Sequence, residues 1–385
     1  MNKSVIPKKR ILILHDAPLS EWKGTQRILM EYANYLAMND FEVIYASPKK
    51  FERPEGESQI QFNNDIKFCV KTIEMKHFLV YFVSRRELKL LEPDLIIVST
   101  FNVFPFIPFN RYRVIMGSHV YGPEHEKLGS RYNKFKIKMK RVVFKIISLF
   151  YSKTNVAFYG INPTQEKWLT QLLPKKFTVY LQPPPLDCRP FNVVEFHNLP
   201  NKFTVLYLGE LTYDKGFFDF TRIVKKFEEE TIYKNIEFII GTVGGPLMKD
   251  AQSLCSQFKN VTLIKTEKEN VKINTYRMSS VLISPSKVEN FHIVSLEAQL
   301  CGLPVISSDI SGPKSIIENN VTGTLVPVGD IDGFYQALIG YYDLWSKDKL
   351  RYYHSMKINS QKVRRFCKEN ILPQFLEMVN NELKK

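Results

Sequence analysis

Two carboxylates eight positions apart, Glu289 and Glu297, hold the most chemistry in this sequence. They lie in SPSKVENFHIVSLEAQLCGLPVISSDISGP, residues 284–313. Ser284-Pro285-Ser286 reads as the end of a strand, and the loop after it carries Glu289. A helix bearing Glu297 follows, Gly302-Leu303-Pro304 stops it and opens a new strand, and Asp309–Pro313 closes the unit. Glu289 therefore sits at a loop-to-helix junction, and Glu297 lies about two turns in at ~1.5 Å rise per residue. One carboxylate can take the distal hydroxyls of a ligand while the other takes its middle. The unpaired N–H groups of the helix start between them suit a phosphate. Asp330-Ile331-Asp332 precedes a helical pattern and reads as a pair of capping acids rather than a metal site. GTVGGP (241–246) follows a strand but is not the G-x-G-x-x-G of dinucleotide binding.

Strand-length apolar runs alternate with helix-length patterns along the chain. ILIL (11–14), FEVIYAS (41–47), DLIIVST (94–100) and RVIMGS (113–118) are strands of a first series, with a helix predicted over 24–40. FTVLYLG (203–209), EFIIG (237–241), VTLIK (261–265), VLISPS (281–286) and PVISSD (304–309) form a second series. Continuous apolar strands separated by helices indicate parallel sheets covered on both faces. The Pro-rich QPPPLDCRPF (182–191) is the candidate linker. The expected architecture is α/β, two doubly wound Rossmann-like domains in tandem. Ligands are expected at the carboxyl ends of the strands.

The chain has 385 residues and a net charge of +15. Residues 1–190 hold 30 Lys and Arg against 17 Asp and Glu, a net +13, so the excess sits almost wholly in the first series. That half is expected to meet something anionic. RYNKFKIKMKRVVFKIISLFY (131–151) and EMKHFLVYFVSRRELKLL (74–91) are basic, aromatic-rich helix candidates. Each reads either as a helix packed on the domain with a solvated basic face or as an interfacial helix drawn to anionic lipid. No nucleic-acid motif accompanies the charge, so no nucleic-acid partner is expected. Five separated cysteines with no C-x-x-C pair argue against a disulfide scaffold or zinc site and for reduced thiols. No secretory signal and no spanning apolar run is apparent, so a cytoplasmic protein, free or peripheral on the inner face of a membrane, is expected.

The 284–313 stretch resembles the E-x7-E signature of glycosyltransferase family 4, and the likeness extends on both sides. YLGELTYDKG (207–216) resembles that family's G-R-L…K-G loop, IIGTVGGP (239–246) its G-x-G-P turn, and NNVTGTLVPVGD (319–330) its N-G-x-L-V…D segment. WKGTQRIL (22–29) is similar to the G-G-A-E-R helix start, and RVIMGSHVYG (113–122) to the strand ending in the family's active-site histidine. FCKENILPQFLEMV (366–379) is similar to the helix that crosses back to the first domain.

The resemblance implies the GT-B fold, with two domains facing across a cleft. An acceptor domain would span 1–186, with 364–385 packed back on it, and a donor domain 187–363. It implies a retaining, metal-independent transfer of sugar from a nucleotide-sugar donor to a saccharide or lipid-linked acceptor, with no cofactor. Glu297 would hold the ribose. Glu289 would hold the transferred sugar, helped by main-chain amides near Phe291 and His292. Lys215 would neutralise the diphosphate beside Gly209. Gly24 would admit the phosphates from the first domain, and His119 would lie beside the sugar ring. Three positions depart from the pattern. Glu210 stands for the loop arginine, His292 for the glycine after E-x-F, and Gly24 alone for a double glycine. The departures at Glu210 and His292 keep open a second reading, a nucleotide-sugar-binding protein with weakened catalysis.

Overall fold

The computed structural model describes residues 8–15, 24–46, 69–70, 89–98, 111–118, 142, 155–229 and 236–385. The chain divides into two units, residues 1–185 with 368–385 and residues 186–367.

In the first unit seven strands pair in parallel. They are β1 (Arg10–Leu14), β2 (Glu42–Ala46), β3 (Cys69–Val70), β4 (Leu95–Val98), β5 (Arg113–Ser118), β6 (Val156–Gly160) and β7 (Thr178–Leu181). Their order is β3-β2-β1-β4-β5-β6-β7, so the strand order reverses beside β1. The runs read from sequence are central: β1 pairs with β2 and β4 in register, Ile11 opposite Val43 and Leu95. Ile11, Leu12 and Ile13 are fully buried, as strands covered on both faces must be. β6 and β7 are not among the runs read from sequence. VAFYG (156–160) has every residue buried, but it is short and follows directly on the basic, aromatic-rich segment, which blurs its boundary.

Helix α1 (Gly24–Met38) buries Ile28, Leu29, Tyr32 and Leu36. α2 (Pro163–Leu172) starts on Asn162, whose side chain accepts from Gln165 N. The chain's last helix belongs to this unit too. Phe375 stacks on Tyr32 with centroids 3.7 Å apart, Gln182 Nε2 donates to Ile371 O, and Arg113 donates to the carbonyls of Glu382 and Leu383. The buried Glu382 carboxylate accepts from Tyr180 OH at 2.7 Å.

The second unit has six parallel strands in the order β10-β9-β8-β11-β12-β13. They are β8 (Phe203–Leu208), β9 (Ile236–Thr242), β10 (Val261–Lys265), β11 (Val281–Ser284), β12 (Val305–Ser308) and β13 (Gly323–Val326). The helices between and after them are α3 (Phe217–Glu229), α4 (Met248–Gln257), α5 (Glu269–Arg277), α6 (Ile293–Leu300), α7 (Ser311–Ile316), α8 (Ile331–Lys347) and α9 (Lys349–Val363). The last helix, α10 (Lys368–Lys384), is the one packed on the first unit. One core lies under α3 and α8, around Phe203, Tyr207, Phe220 and Phe334; another lies around Leu282, Leu296, Val305 and Phe366. Asp330 caps α8 by accepting from Gly333 N, and Asp332 pairs with Lys226.

One expectation is overturned. Cys188 and Cys367 form a disulfide, with Cα atoms 5.4 Å apart and 179 positions of chain between them. Odd number and wide spacing argue for reduced thiols. The fold defeats that reasoning because the second unit's chain leaves beside the point where it begins. Leu186 bridges Cys367, and Leu186 N donates to Phe366 O.

Candidate functional site

The site is assembled at the carboxyl ends of β8, β9 and β11, and glycines force its loops together. Gly216 has φ +73°, and a Cβ there would lie 1.9 Å from Pro285 O. Only glycine allows the loop after β8 to seat on the loop after β11. Gly245, at φ +137°, approaches Leu211 so closely that a Cβ would meet its carbonyl oxygen at 2.6 Å. Leu211 N donates to Gly244 O, and Leu247 N donates to Leu211 O. Gly312 N donates to Glu289 O, and a Cβ on Gly312 would lie 2.8 Å from that of Glu289. The loops after β8, β9, β11 and β12 thus brace one another around Glu289.

Lys215 and Glu289 meet. The ammonium lies 2.6 Å from Oε1, and the Glu289 side chain is 11% exposed against 35% for Lys215. A cation and an acid from loops 74 positions apart share one point, and the lysine retains access to solvent. His292 Nε2 lies 3.7 Å from the same Oε1. Its ring is buried between Ser284 Oγ, 3.1 Å from Nε2, and Ser295 Oγ, beside Nδ1. Burial lowers the imidazole to about 4, with the Glu289 charge opposing and Lys215 assisting. His292 is therefore neutral at neutral pH, and its contact with Glu289 is no ion pair. The side chain standing for a glycine packs inward, behind the start of α6, where first-turn N–H groups have no intrahelical acceptor.

Glu297, on α6, is 5% exposed. Lys272 Nζ lies 2.6 Å from Oε1, and Tyr276 OH donates to Oε2 at 2.8 Å. Lys272 and Tyr276 are one turn apart on α5, so both reach the same carboxylate. The Lys272 ammonium also lies over the Phe191 ring at 5.7 Å, and Phe191 meets Tyr276 edge-on. Burial and the Glu297 charge push the Tyr276 hydroxyl well above its ordinary value, so it stays a hydrogen-bond donor. The sequence reading misses both partners; their one signal is the four-residue spacing.

The other site candidates divide. Gly209 N donates to Gly241 O, and the position a Cβ would take is open, as at Gly24, which starts α1 in the first unit. Phe291 packs edge-on against Phe366. The Glu210 side chain is exposed. His119 lies outside the described residues, as do 74–88 and all of 131–151 except Val142. Among the described residues no helix is long and apolar enough to cross a membrane.

Two parallel-sheet units with a terminal helix returned to the first define the GT-B fold, and solved structures agree. Sucrose-phosphate synthase of Thermosynechococcus elongatus aligns at TM-score 0.74 and 17% identity, over 97% of this chain and 99% of that one. Anabaena HepE in complex with UDP-glucose aligns at TM-score 0.69 and 15% identity, over 97% and 99%. Residues 192–363, within the second unit, match the family model described as glycosyl transferases group 1. The Escherichia coli UDP-Gal:alpha-D-GlcNAc-diphosphoundecaprenol alpha-1,3-galactosyltransferase is 26% identical over 228 residues, 56% of this chain and 58% of that protein. The 2-deoxystreptamine N-acetyl-D-glucosaminyltransferase of Niallia circulans is 24% identical over 51% of this chain and 50% of that protein. The chain thus spans only about half the length of each of these two relatives.

Proposed function

We propose that this chain is a retaining, metal-independent glycosyltransferase that moves a sugar from a nucleotide-sugar to a saccharide or lipid-linked acceptor. The observation that carries the reading is the Lys215–Glu289 contact, with Glu297 eight residues on at the far end of the same helix start. In this reading Glu297 accepts from the ribose hydroxyls and Glu289 from hydroxyls of the transferred sugar. Main-chain amides near Phe291 and His292 help Glu289 hold that sugar, and Lys215 faces the diphosphate. The bond between the anomeric carbon and the diphosphate oxygen breaks, and the acceptor hydroxyl oxygen bonds to that carbon from the same face. The hydroxyl proton passes to the leaving phosphate. Negative charge grows on the diphosphate as the bond breaks, so Lys215 stabilises the transition state more than the ground state. Gly24 and His119 are assigned to the first unit's side of the reaction.

Glu210 favours the second reading, a protein that binds nucleotide-sugar with little turnover, because a carboxylate beside a diphosphate is repulsive. Its exposed side chain leaves room for it to point away. The named relative from Escherichia coli supports a lipid-linked acceptor, and that name and the HepE complex put uridine donors first in a screen. The basic first half would then meet an anionic membrane surface, which liposome sedimentation with and without anionic lipid tests; equal, negligible pelleting removes that part.

A thermal-shift screen against UDP-, GDP-, ADP- and dTDP-sugars, followed by nucleoside diphosphate release in EDTA, tests the whole reading. Stabilisation by one donor and release despite chelation are expected. Stabilisation without release selects the binding protein, and loss of release in EDTA restored by a divalent cation refutes metal independence.

A further inference from the structure

A cavity of about 340 Å³ opens beside the donor constellation, lined among others by Tyr213, Phe218, Asp219, Arg222, Lys225 and Lys287. None of these residues has a part in the mechanism above. Phe218, Arg222 and Lys225 fall at i, i+4 and i+7 on α3 and so share one face. Tyr213 comes from the loop after β8 and Lys287 from the loop after β11. Lys287 N donates to Asp214 O, which ties those two loops together.

Three features distinguish this cavity from an ordinary charged helix face. Two large rings border it in the open: Tyr213 is 61% exposed and Phe218 39%. Three cations line it against a single carboxylate, and among the described residues Lys225 is paired with no acid. Asp219 is itself buried, at 4% exposure, and its Oδ2 accepts no hydrogen bond; the Lys287 ammonium stands 3.8 Å away. Arg222 reaches the other oxygen, Oδ1, at 3.4 Å. The Lys287 ammonium lies 3.5 Å above the Tyr213 ring, which holds it in place by cation–π attraction. The buried carboxylate thus offsets only part of the charge of the three cations around it.

We propose that this cavity is a subsite for an anionic saccharide, a sugar ring bearing a phosphate or carboxylate, belonging to the acceptor. Each part of that ligand has a counterpart. The apolar C–H face of a pyranose packs on Tyr213 and Phe218. Its anionic group meets Arg222, Lys225 and Lys287, where charge-assisted hydrogen bonds are strongest. Asp219, buried beneath them, holds Lys287 and Arg222 at the cavity wall. The location fits as well. Tyr213 precedes Lys215 by two residues and Lys287 precedes Glu289 by two, so this edge of the subsite lies within about 7 Å of chain from the proposed reacting groups, while Arg222 and Lys225 extend it along α3. The inference rests on the glycosyl-transfer reading. It moves part of acceptor recognition onto the second unit, whereas the charge asymmetry of the sequence assigns the acceptor to the first.

The test is calorimetric titration with the donor site filled by the nucleoside diphosphate that the screen selects. The probes are glucose 6-phosphate, glucuronate, glucose and inorganic phosphate. The proposal expects glucose 6-phosphate or glucuronate to bind at least tenfold more tightly than glucose and than inorganic phosphate; which of the two wins identifies the anionic group. Tyr213→Ala and Lys225→Glu should each weaken that binding at least fivefold. Both positions are exposed, so the thermal midpoint and the nucleotide affinity should stay near wild type. Equal binding of all four probes, no binding of any, or no effect of both variants overturns the subsite. Failure of the nucleotide itself to bind would instead overturn the donor-site reading.

Discussion

The two carboxylates at either end of the α6 start have the same kind of partner and different surroundings. Glu289 meets Lys215 at 2.6 Å and Glu297 meets Lys272 at the same distance. At the Glu289 end the lysine is 35% exposed and rides on a loop held by Gly216. At the Glu297 end the lysine is 19% exposed, is covered by the Phe191 ring, and shares the carboxylate with Tyr276. In the proposed reaction the first pair opens and Lys215 exchanges its carboxylate for a diphosphate. The second has one carboxylate oxygen held by Lys272 and the other by Tyr276, which fixes the carboxylate in place. In the proposed function one end changes partners during the reaction, and the other presents a fixed acceptor to the ligand. That difference is expected to separate turnover from affinity.

The largest expected effect falls at the exchangeable end. Lys215→Ala should lower turnover by about 10²–10³-fold, on the order of 3–4 kcal/mol, with a smaller change in donor affinity. An equal loss in kcat and Kd would erase the division of labour.

The next effect is a pH dependence behind the same carboxylate. His292 has a folded value of about 4 against 6.5 for the free side chain. Between those values the unfolded chain binds the extra proton and the folded one does not. Stability should therefore be complete above about pH 6.5 and fall as pH drops toward 4, by up to about 3 kcal/mol at ~1.4 kcal/mol per unit. Comparing urea midpoints of wild type and His292→Asn across that window checks it. An unchanged slope in the variant would assign the acid sensitivity elsewhere.

At the fixed end, Lys272→Met should cost about 2 kcal/mol of stability, less than a fully buried pair because the ammonium is partly hydrated. It should weaken donor binding about tenfold while leaving kcat near wild type. Methionine keeps the packing against Phe191, so a loss of affinity without loss of fold isolates the charge. Smallest is Tyr276→Phe, which removes one hydrogen bond and should cost about 1 kcal/mol in donor affinity. If Tyr276→Phe has the larger effect of the two, the orientation of Glu297 depends on the hydroxyl rather than the ammonium.

Much of this arrangement is legible in the amino-acid sequence. Runs such as ILIL and VLIS announce covered parallel strands because burial on both faces leaves little room in them for polar side chains. Asp330 is readable as a cap because an acid just before a helical pattern satisfies a local donor. Contacts that depend on the chain's path are not legible. Lys272 sits on a largely polar nine-residue helix, and nothing local says that it faces Glu297. Cys188 and Cys367 become neighbours only because the second unit starts and ends at one place. Gly216 is visible as a glycine in a loop, but its reason, a carbonyl of Pro285 pressed against it, belongs to tertiary structure.

The central claim is that Glu297 serves donor binding and Glu289 serves transfer. The most direct measurement is a paired determination of donor Kd and nucleoside diphosphate release for Glu289→Ala and Glu297→Ala. The expected result is lost donor affinity in Glu297→Ala, and near-normal affinity with strongly reduced release in Glu289→Ala. Wild-type values in both variants, or the same loss of affinity in both, would contradict the account.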